Sequence, residues 1–266
     1  MQNEVNVVEW EDVLKFNEEQ RELEKQKDWL RKADCLTASL ICMDMTDIKS
    51  DIDTLLDNGI YRLHADFMDG NFVPRLGVSP ELIQWIRKRY GHNVEIDSHL
   101  MVQNPYDCID VIAPFSDWVF FHYEATPDPV RILQKIGRVS HAKKGVAYNL
   151  ATPVDHTLQD MGLIDGYLLM GISPGFLGTG CWPSTVLHKI HELSKGAWEL
   201  LPVFVDGGVR FSTLRDFYKT NATKMVCGSS TLFNIDEATE LMDRDQMIKY
   251  NIERIKKCLV ERGGWV

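Results

Sequence analysis

Long apolar runs, basic clusters and closely paired cysteines are all missing from this chain, and each gap removes a class of protein. The longest apolar stretches are no longer than residues 118–121, far short of the ~20 that cross a bilayer. The opening MQNEVNVVEWED is acidic and has no apolar signal core, so a cytoplasmic protein is expected. Lys and Arg number 29 against 39 Asp and Glu, a net charge of −10, and no basic stripe interrupts that balance. Nucleic-acid binding rests on cations that neutralise phosphates, so neither a nucleic acid nor a membrane is an expected partner. A single small anion remains compatible, because backbone N–H groups bind one phosphate even inside an acidic protein. Six cysteines with no CxxC spacing are too sparse for a disulfide framework and read as reduced, buried thiols. No segment is low in complexity.

What remains is a chain of 266 residues, 44% of them hydrophobic, enough for one large domain. From residue 36 onward short β-rich runs alternate with stretches of helical period. The strand candidates are 36–43, 61–66, 94–101, 118–122, 145–149, 166–172, 201–206 and 224–227. Between them lie segments such as 47–56, where Ile48, Ile52, Leu55 and Leu56 recur at helical spacing. Ser79-Pro80-Glu81 has Ser at the cap and Pro at the first helical position. Eight alternating units in one chain predict a single α/β domain, a (β/α)8 TIM barrel over 34–266 closed by a terminal helix over 243–261. Residues 1–33 fall outside this rhythm. Their charged stretch, with Leu23, Trp29 and Leu30 as a thin apolar stripe, predicts an N-terminal helical extension packed under the barrel or on a neighbouring subunit.

In such a barrel the loops after the strands build the active face, so polar residues at strand ends carry the functional argument. His64 and Asp66 end the second candidate strand, two apart and hence on one face. His99 ends the third and Asp206 the seventh. A lone strand-end histidine is usually structural, but two imidazoles and two carboxylates at one mouth suit a divalent ion such as Zn2+, Fe2+ or Mn2+. His92, His141, His156, His188 and His191 fall in loops or helices and are expected at the surface. His122 and Glu124 are expected at the rim, without touching the metal. Asp69, in MDG, reads as the cap of a turn. Glycines also gather at strand ends: Gly175, Gly207 and Gly208, and Gly228 followed by Ser229. One glycine would only permit a turn, but the set predicts backbone binding of a phosphate.

The segments HADFMDGNFVP, DSHLMVQNP, FHYEA, GVAYN with TPV, MGISPGF, VDGGV and CGSS, in that order and spacing, closely resemble the ribulose-phosphate 3-epimerase family from Leu36 to the terminal helix. That resemblance implies a metal-dependent ketose-phosphate 3-epimerase that interconverts D-ribulose 5-phosphate and D-xylulose 5-phosphate. It implies one divalent ion, Zn2+ foremost with Fe2+, Mn2+ or Co2+ as alternatives, held by His64, Asp66, His99 and Asp206. It gives Asp66 and Asp206 the acid–base roles, Ser39 a substrate contact, and Met68, Met101 and Met170 an apolar cap over the reacting carbons. Gly175, Gly178, Gly207, Gly208, Gly228 and Ser229 fall on the family's phosphate site, and a homodimer or hexamer is implied. Some residues depart from the pattern. Cys42-Met43-Asp44 and Leu232-Phe233-Asn234 look more like the allulose 6-phosphate branch, which makes D-allulose 6-phosphate to D-fructose 6-phosphate the alternative reaction. Leu177 replaces a loop glycine, and Arg75 replaces an Asn near the mouth, where it would add a substrate contact. A phosphate-binding barrel without turnover is a further alternative. Lyase or decarboxylase chemistry would call for a strand-end Lys, and the strand ends here offer His and Asp.

Overall fold

The computed structural model describes residues 10–175, 183–194, 201–220 and 222–260. Eight parallel strands pair in sequence order, and the first pairs with the last to close a barrel. They are β1 Leu36–Ser39, β2 Arg62–Met68, β3 Glu95–Met101, β4 Trp118–His122, β5 Lys143–Tyr148, β6 Gly166–Met170, β7 Val203–Asp206 and β8 Ala222–Cys227. The helices are α1 Trp10–Ala33, α2 Ile48–Asp57, α3 Pro80–Tyr90, α4 Pro105–Ile112, α5 Pro129–Val139, α6 Thr157–Asp160, α7 Pro183–Ser194, α8 Leu214–Lys219 and α9 Arg244–Val260. No helix among the described residues is long and apolar enough to cross a membrane.

Two elements begin as their sequences dictate. At α2 the Asp47 side chain accepts the Ser50 N–H, and Ile52 and Leu55 at helical spacing are buried. At α9 the Asp243 carboxylate accepts the Gln246 N–H at 2.8 Å. At α3, Pro80 occupies the first turn, but the Ser79 hydroxyl does not cap it. The Leu82 N–H instead donates to the Ser79 carbonyl. The first, sixth and seventh strands are each at least two residues shorter than expected. Beyond Ser39 the chain turns into a 3-10 helix over Leu40–Cys42, closed by the Met43 N–H on the Leu40 carbonyl, and it leaves the sheet where β2 pairing ends.

The expected apolar stripe of α1 is corrected in part. Trp29 is buried, as is Ala33, while Leu23 and Leu30 are largely exposed. Trp29 Nε1 donates to the Asn58 carbonyl at 2.8 Å, in the turn that feeds β2. The helix therefore meets the barrel beside the start of β2, at the end opposite the strand termini that carry the site.

Closure gives the strands two faces, and the inner one decides the function. Phe120 on β4 and Phe204 on β7 are not on hydrogen-bonded strands, yet their rings lie 4.7 Å apart, so they meet through the barrel interior. Trp118, Ala147, Leu168 and Met170 complete that inner cluster. On the other side the interior is polar: Thr37 Oγ1 on β1 donates to Asp97 Oδ2 on β3 at 3.1 Å, across β2. Because side chains alternate, Phe204 and Asp206 share the inward face, as do Asp97 and His99. The larger apolar cluster, which includes Ile83, Ile109, Ile136, Val186 and Ile252, lies between strands and helices.

Gly145 on β5 marks how tightly the inside is filled, since a Cβ there would overlap the fully buried Phe120 ring. Gly145→Ala is expected to destabilise the barrel by about 1–3 kcal/mol and lower Tm by roughly 2–10 °C. Thermal unfolding followed by circular dichroism checks this, and an unchanged Tm would mean the ring has room to move.

Candidate active site

Register assembles the mouth. Asp66 on β2 is the direct partner of His99 on β3, Met68 of Met101, Ser39 of His64, and Met170 of Asp206. Paired residues of parallel strands present side chains to the same face, so these pairs stand side by side. His64, Asp66, His99 and Asp206 each offer one ligand atom, and the four lie within 4.8 Å of one another. His64 Nε2 is 3.3 Å from Asp66 Oδ1, 3.4 Å from His99 Nδ1 and 3.9 Å from Asp206 Oδ2. His99 Nδ1 is 3.2 Å from Asp66 Oδ1 and 3.4 Å from Asp206 Oδ2.

Four electron-rich atoms at this spacing require positive charge between or on them. Burial disfavours a charged His64, yet the Asp66 and Asp206 carboxylates outweigh burial and push its pKa up to about 9. Burial likewise opposes charge on Asp66, but His64 and His99 hold its carboxyl well below the usual range. Burial works against His99⁺ too, while Asp206 and Asp66 raise its pKa. A divalent ion answers the same demand. Donors at metal–ligand distances of about 2.0–2.1 Å in a tetrahedron stand about 3.3–3.4 Å apart, and most of the measured edges are close to that. The residues present therefore fit a metal ion.

Behind the cluster runs a second layer. His99 Nε2 lies 3.0 Å from His122 Nε2, and His122 Nδ1 lies 3.2 Å from Glu124 Oε2. Glu124 Oε1 also accepts the Asn149 N–H at 2.9 Å. Burial, helped by the neighbouring His99, lowers the pKa of His122 to about 4, which keeps it neutral. Burial opposes the Glu124 charge, but hydrogen bonds from His122 and Thr152 lower its pKa to about 2. The expectation that His122 lines the rim is therefore corrected: it is fully buried and backs His99.

The cluster opens into a cavity at the barrel mouth. Ser39, Met68, Met101, Met170, Gly175, Gly207, Gly208, Gly228 and Ser229 all line it, together with Asp66 and Asp206. Ser39 Oγ donates to Asp66 Oδ2 at 3.4 Å. Gly207 and Gly208 adopt φ of 83° and 73°, a backbone region that favours glycine. A Cβ on Gly228 would stand 3.1 Å from Cys42 Sγ, so the backbone approaches the cavity closely there. Gly178, Leu177 and Cys181 lie outside the described residues. Among the described residues the other five cysteines form no disulfide, with Cys227 buried and the rest half-buried. Asp69 caps its turn, accepting the Asn71 and Phe72 N–H groups on Oδ1 and the Gln103 N–H on Oδ2, each at 2.8 Å. His92, His141, His156, His188 and His191 are all exposed. Arg75 lines the cavity, and so does Arg210, a residue that sequence reasoning passed over although it stands four after Asp206 in VDGGVR.

With this geometry in hand, comparison with known proteins is informative. The profile of the "Ribulose-phosphate 3 epimerase family" matches residues 35–233. The ribulose-phosphate 3-epimerase of Escherichia coli K12 is 31% identical over 225 residues, covering 82% of this chain and 98% of that protein. Its counterpart in Methanocaldococcus jannaschii is 31% identical over 75% of this chain and 84% of its own length. Among solved structures, a mutant tryptophan synthase α-subunit from Pyrococcus furiosus superposes with a TM-score of 0.59 at 15% identity, covering 84% of this chain and 98% of that one. KGPDC from Streptococcus mutans gives 0.53 at 16% identity, covering 83% and 97%. These two likenesses speak to the barrel alone, while the profile spans most of the chain and the curated relatives are matched over most of their own length, and on them the chain belongs to the ribulose-phosphate 3-epimerase family.

Proposed function

We propose that this chain is a metal-dependent ketose-phosphate 3-epimerase that interconverts D-ribulose 5-phosphate and D-xylulose 5-phosphate. The observation that carries the reading is the cluster of His64, Asp66, His99 and Asp206 at one mouth, with two of its carboxylates lining a cavity that also holds a glycine cradle. The four side chains would hold one divalent ion; two imidazoles and two carboxylates accommodate Zn2+, Fe2+, Mn2+ or Co2+. A bound ion supplies Lewis-acid stabilisation of the charge that develops on the ketose oxygen when the C3 proton leaves.

The protein's own groups do the rest. Asp66 and Asp206 rise from β2 and β7, strands on different sides of the barrel. One carboxylate removes the C3 proton from one face of the sugar, and the other returns a proton to the opposite face. Ser39 Oγ bonds one oxygen of Asp66 and so limits how that carboxylate turns. Met68, Met101 and Met170 are buried beside the acids and keep water from the planar intermediate. The backbone at Gly175, Gly207, Gly208, Gly228 and Ser229 takes the phosphate.

The second layer acts by positioning. Were its Nδ1 lone pair given to the ion, His99 would carry its proton on Nε2 and donate to His122 Nε2. His122 then carries its own proton on Nδ1 and donates to Glu124. Every atom in this chain has one role, and the His99 ring is fixed in tautomer and angle.

Asp66→Asn and Asp206→Asn are each expected to lower kcat by about 10²–10⁴-fold, read with metal content measured on the same samples. Substantial C3 inversion by either variant would contradict the two-base scheme. His122→Phe, which fills the space but cannot accept from His99, is expected to weaken metal affinity about 10–100-fold. Metal titration against a chelator measures this, and wild-type affinity would show that His122 does not orient its neighbour.

A further inference from the structure

Arg75 stands out among the arginines. Arg62, Arg87, Arg244 and Arg254 each reach a carboxylate: Glu95, Asp117, Asp51 and Asp236 respectively. Arg75 is half-buried and lines the active cavity, yet among the described residues no hydrogen bond or ion pair occupies its guanidinium. That group is always charged and offers a rigid fork of donors. Half-buried and without a partner among the described residues, it has donors free for an acceptor in the cavity.

The loop presenting it is well held. The Arg75 N–H donates to the Val73 carbonyl at 2.8 Å, the Arg75 carbonyl accepts the Gly70 N–H at 3.0 Å, and Asp69 bridges Leu76. Asp69 ties this loop to the next through the Gln103 N–H. The loop also reaches across to the glycine cradle: a Cβ on Gly175 would stand 2.8 Å from Val73 Cβ. Arg75 therefore lines the same cavity as Gly175, Gly207 and Gly228. Arg210 lines that cavity as well, so two arginines border it in a chain of net charge −10.

We propose that Arg75 is the cationic partner of the substrate's phosphate, closing from the β2 side a site whose other walls are backbone N–H groups. A phosphate dianion matches the guanidinium fork, and charge-assisted bonds of this kind are stronger than those from neutral donors. The proposal rests on the epimerase reading for the identity of the phosphate's carrier, and Arg75 makes the chain more selective for a phosphorylated ketose than the glycine cradle alone.

Calorimetry with inorganic phosphate on the full chain is the first test, comparing wild type with Arg75→Gln and Arg75→Lys. Phosphate affinity is expected to fall about 10- to 100-fold in Arg75→Gln and by less in Arg75→Lys, which keeps the charge but not the fork. In turnover of D-ribulose 5-phosphate the KM of Arg75→Gln is expected to rise by a similar factor while kcat falls less than about threefold. Equal phosphate affinity in wild type and both variants, or no phosphate binding by wild type, overturns the proposal. Should phosphate binding respond as expected while wild type epimerises no ketose phosphate, the role of Arg75 stands and the epimerase reading fails. Normal turnover with an unmoved KM and phosphate affinity gives the reverse.

Discussion

Two carboxylates and two imidazoles held within 4.8 Å of one another inside a barrel cannot all keep their lone pairs without a cation among them. Removed from water, like partial charges repel strongly, and the cost falls only when a proton or a metal ion neutralises them. The upward push on His64 and the downward push on Asp66 are two views of that demand. A metal ion held by these four residues would meet it permanently, and would leave the two carboxylates free of ion pairs and able to exchange protons with a sugar.

The barrel makes this arrangement possible by dividing its interior. From β4 to β7 the inside is filled largely by Trp118, Phe120, Leu168, Met170 and Phe204, an apolar cluster. From β1 to β3 the same inward positions carry Thr37, Ser39, His64, Asp66, Asp97 and His99, all buried. Asp206 crosses from the apolar side to complete the set. The His122–Glu124 pair stands at the seam, and Phe72 packs on the His122 ring at 4.8 Å, so the positioning layer is itself braced by the loop that carries Arg75.

Much of this was legible in the residues, and the limits have physical causes. The eight strands were visible because buried parallel strands are short apolar runs between turn-rich loops. The cluster of His64, Asp66, His99 and Asp206 was visible because period-2 alternation and strand-end position predict which side chains share the mouth. Strand ends were less legible: whether 40–43 continues β1 depends on pairing with β2, which stops at Ser39. The role of His122 was hidden because local spacing does not reveal that a ring on β4 will abut one on β3. Arg210 was hidden behind the glycines it follows, whose own role drew the reading. The stripe on α1 misled in part, since charged helices carry isolated leucines without burying them.

Epimerisation of D-ribulose 5-phosphate in D2O by the metal-loaded protein tests the account most directly. Product D-xylulose 5-phosphate is expected to carry one deuterium at C3 and none elsewhere, because separate acids on opposite faces remove and return the proton through solvent-exchanging carboxyls. Product that keeps its original C3 hydrogen, or metal-loaded protein that binds the sugar without any exchange at C3, would contradict the two-aspartate mechanism on which the account depends.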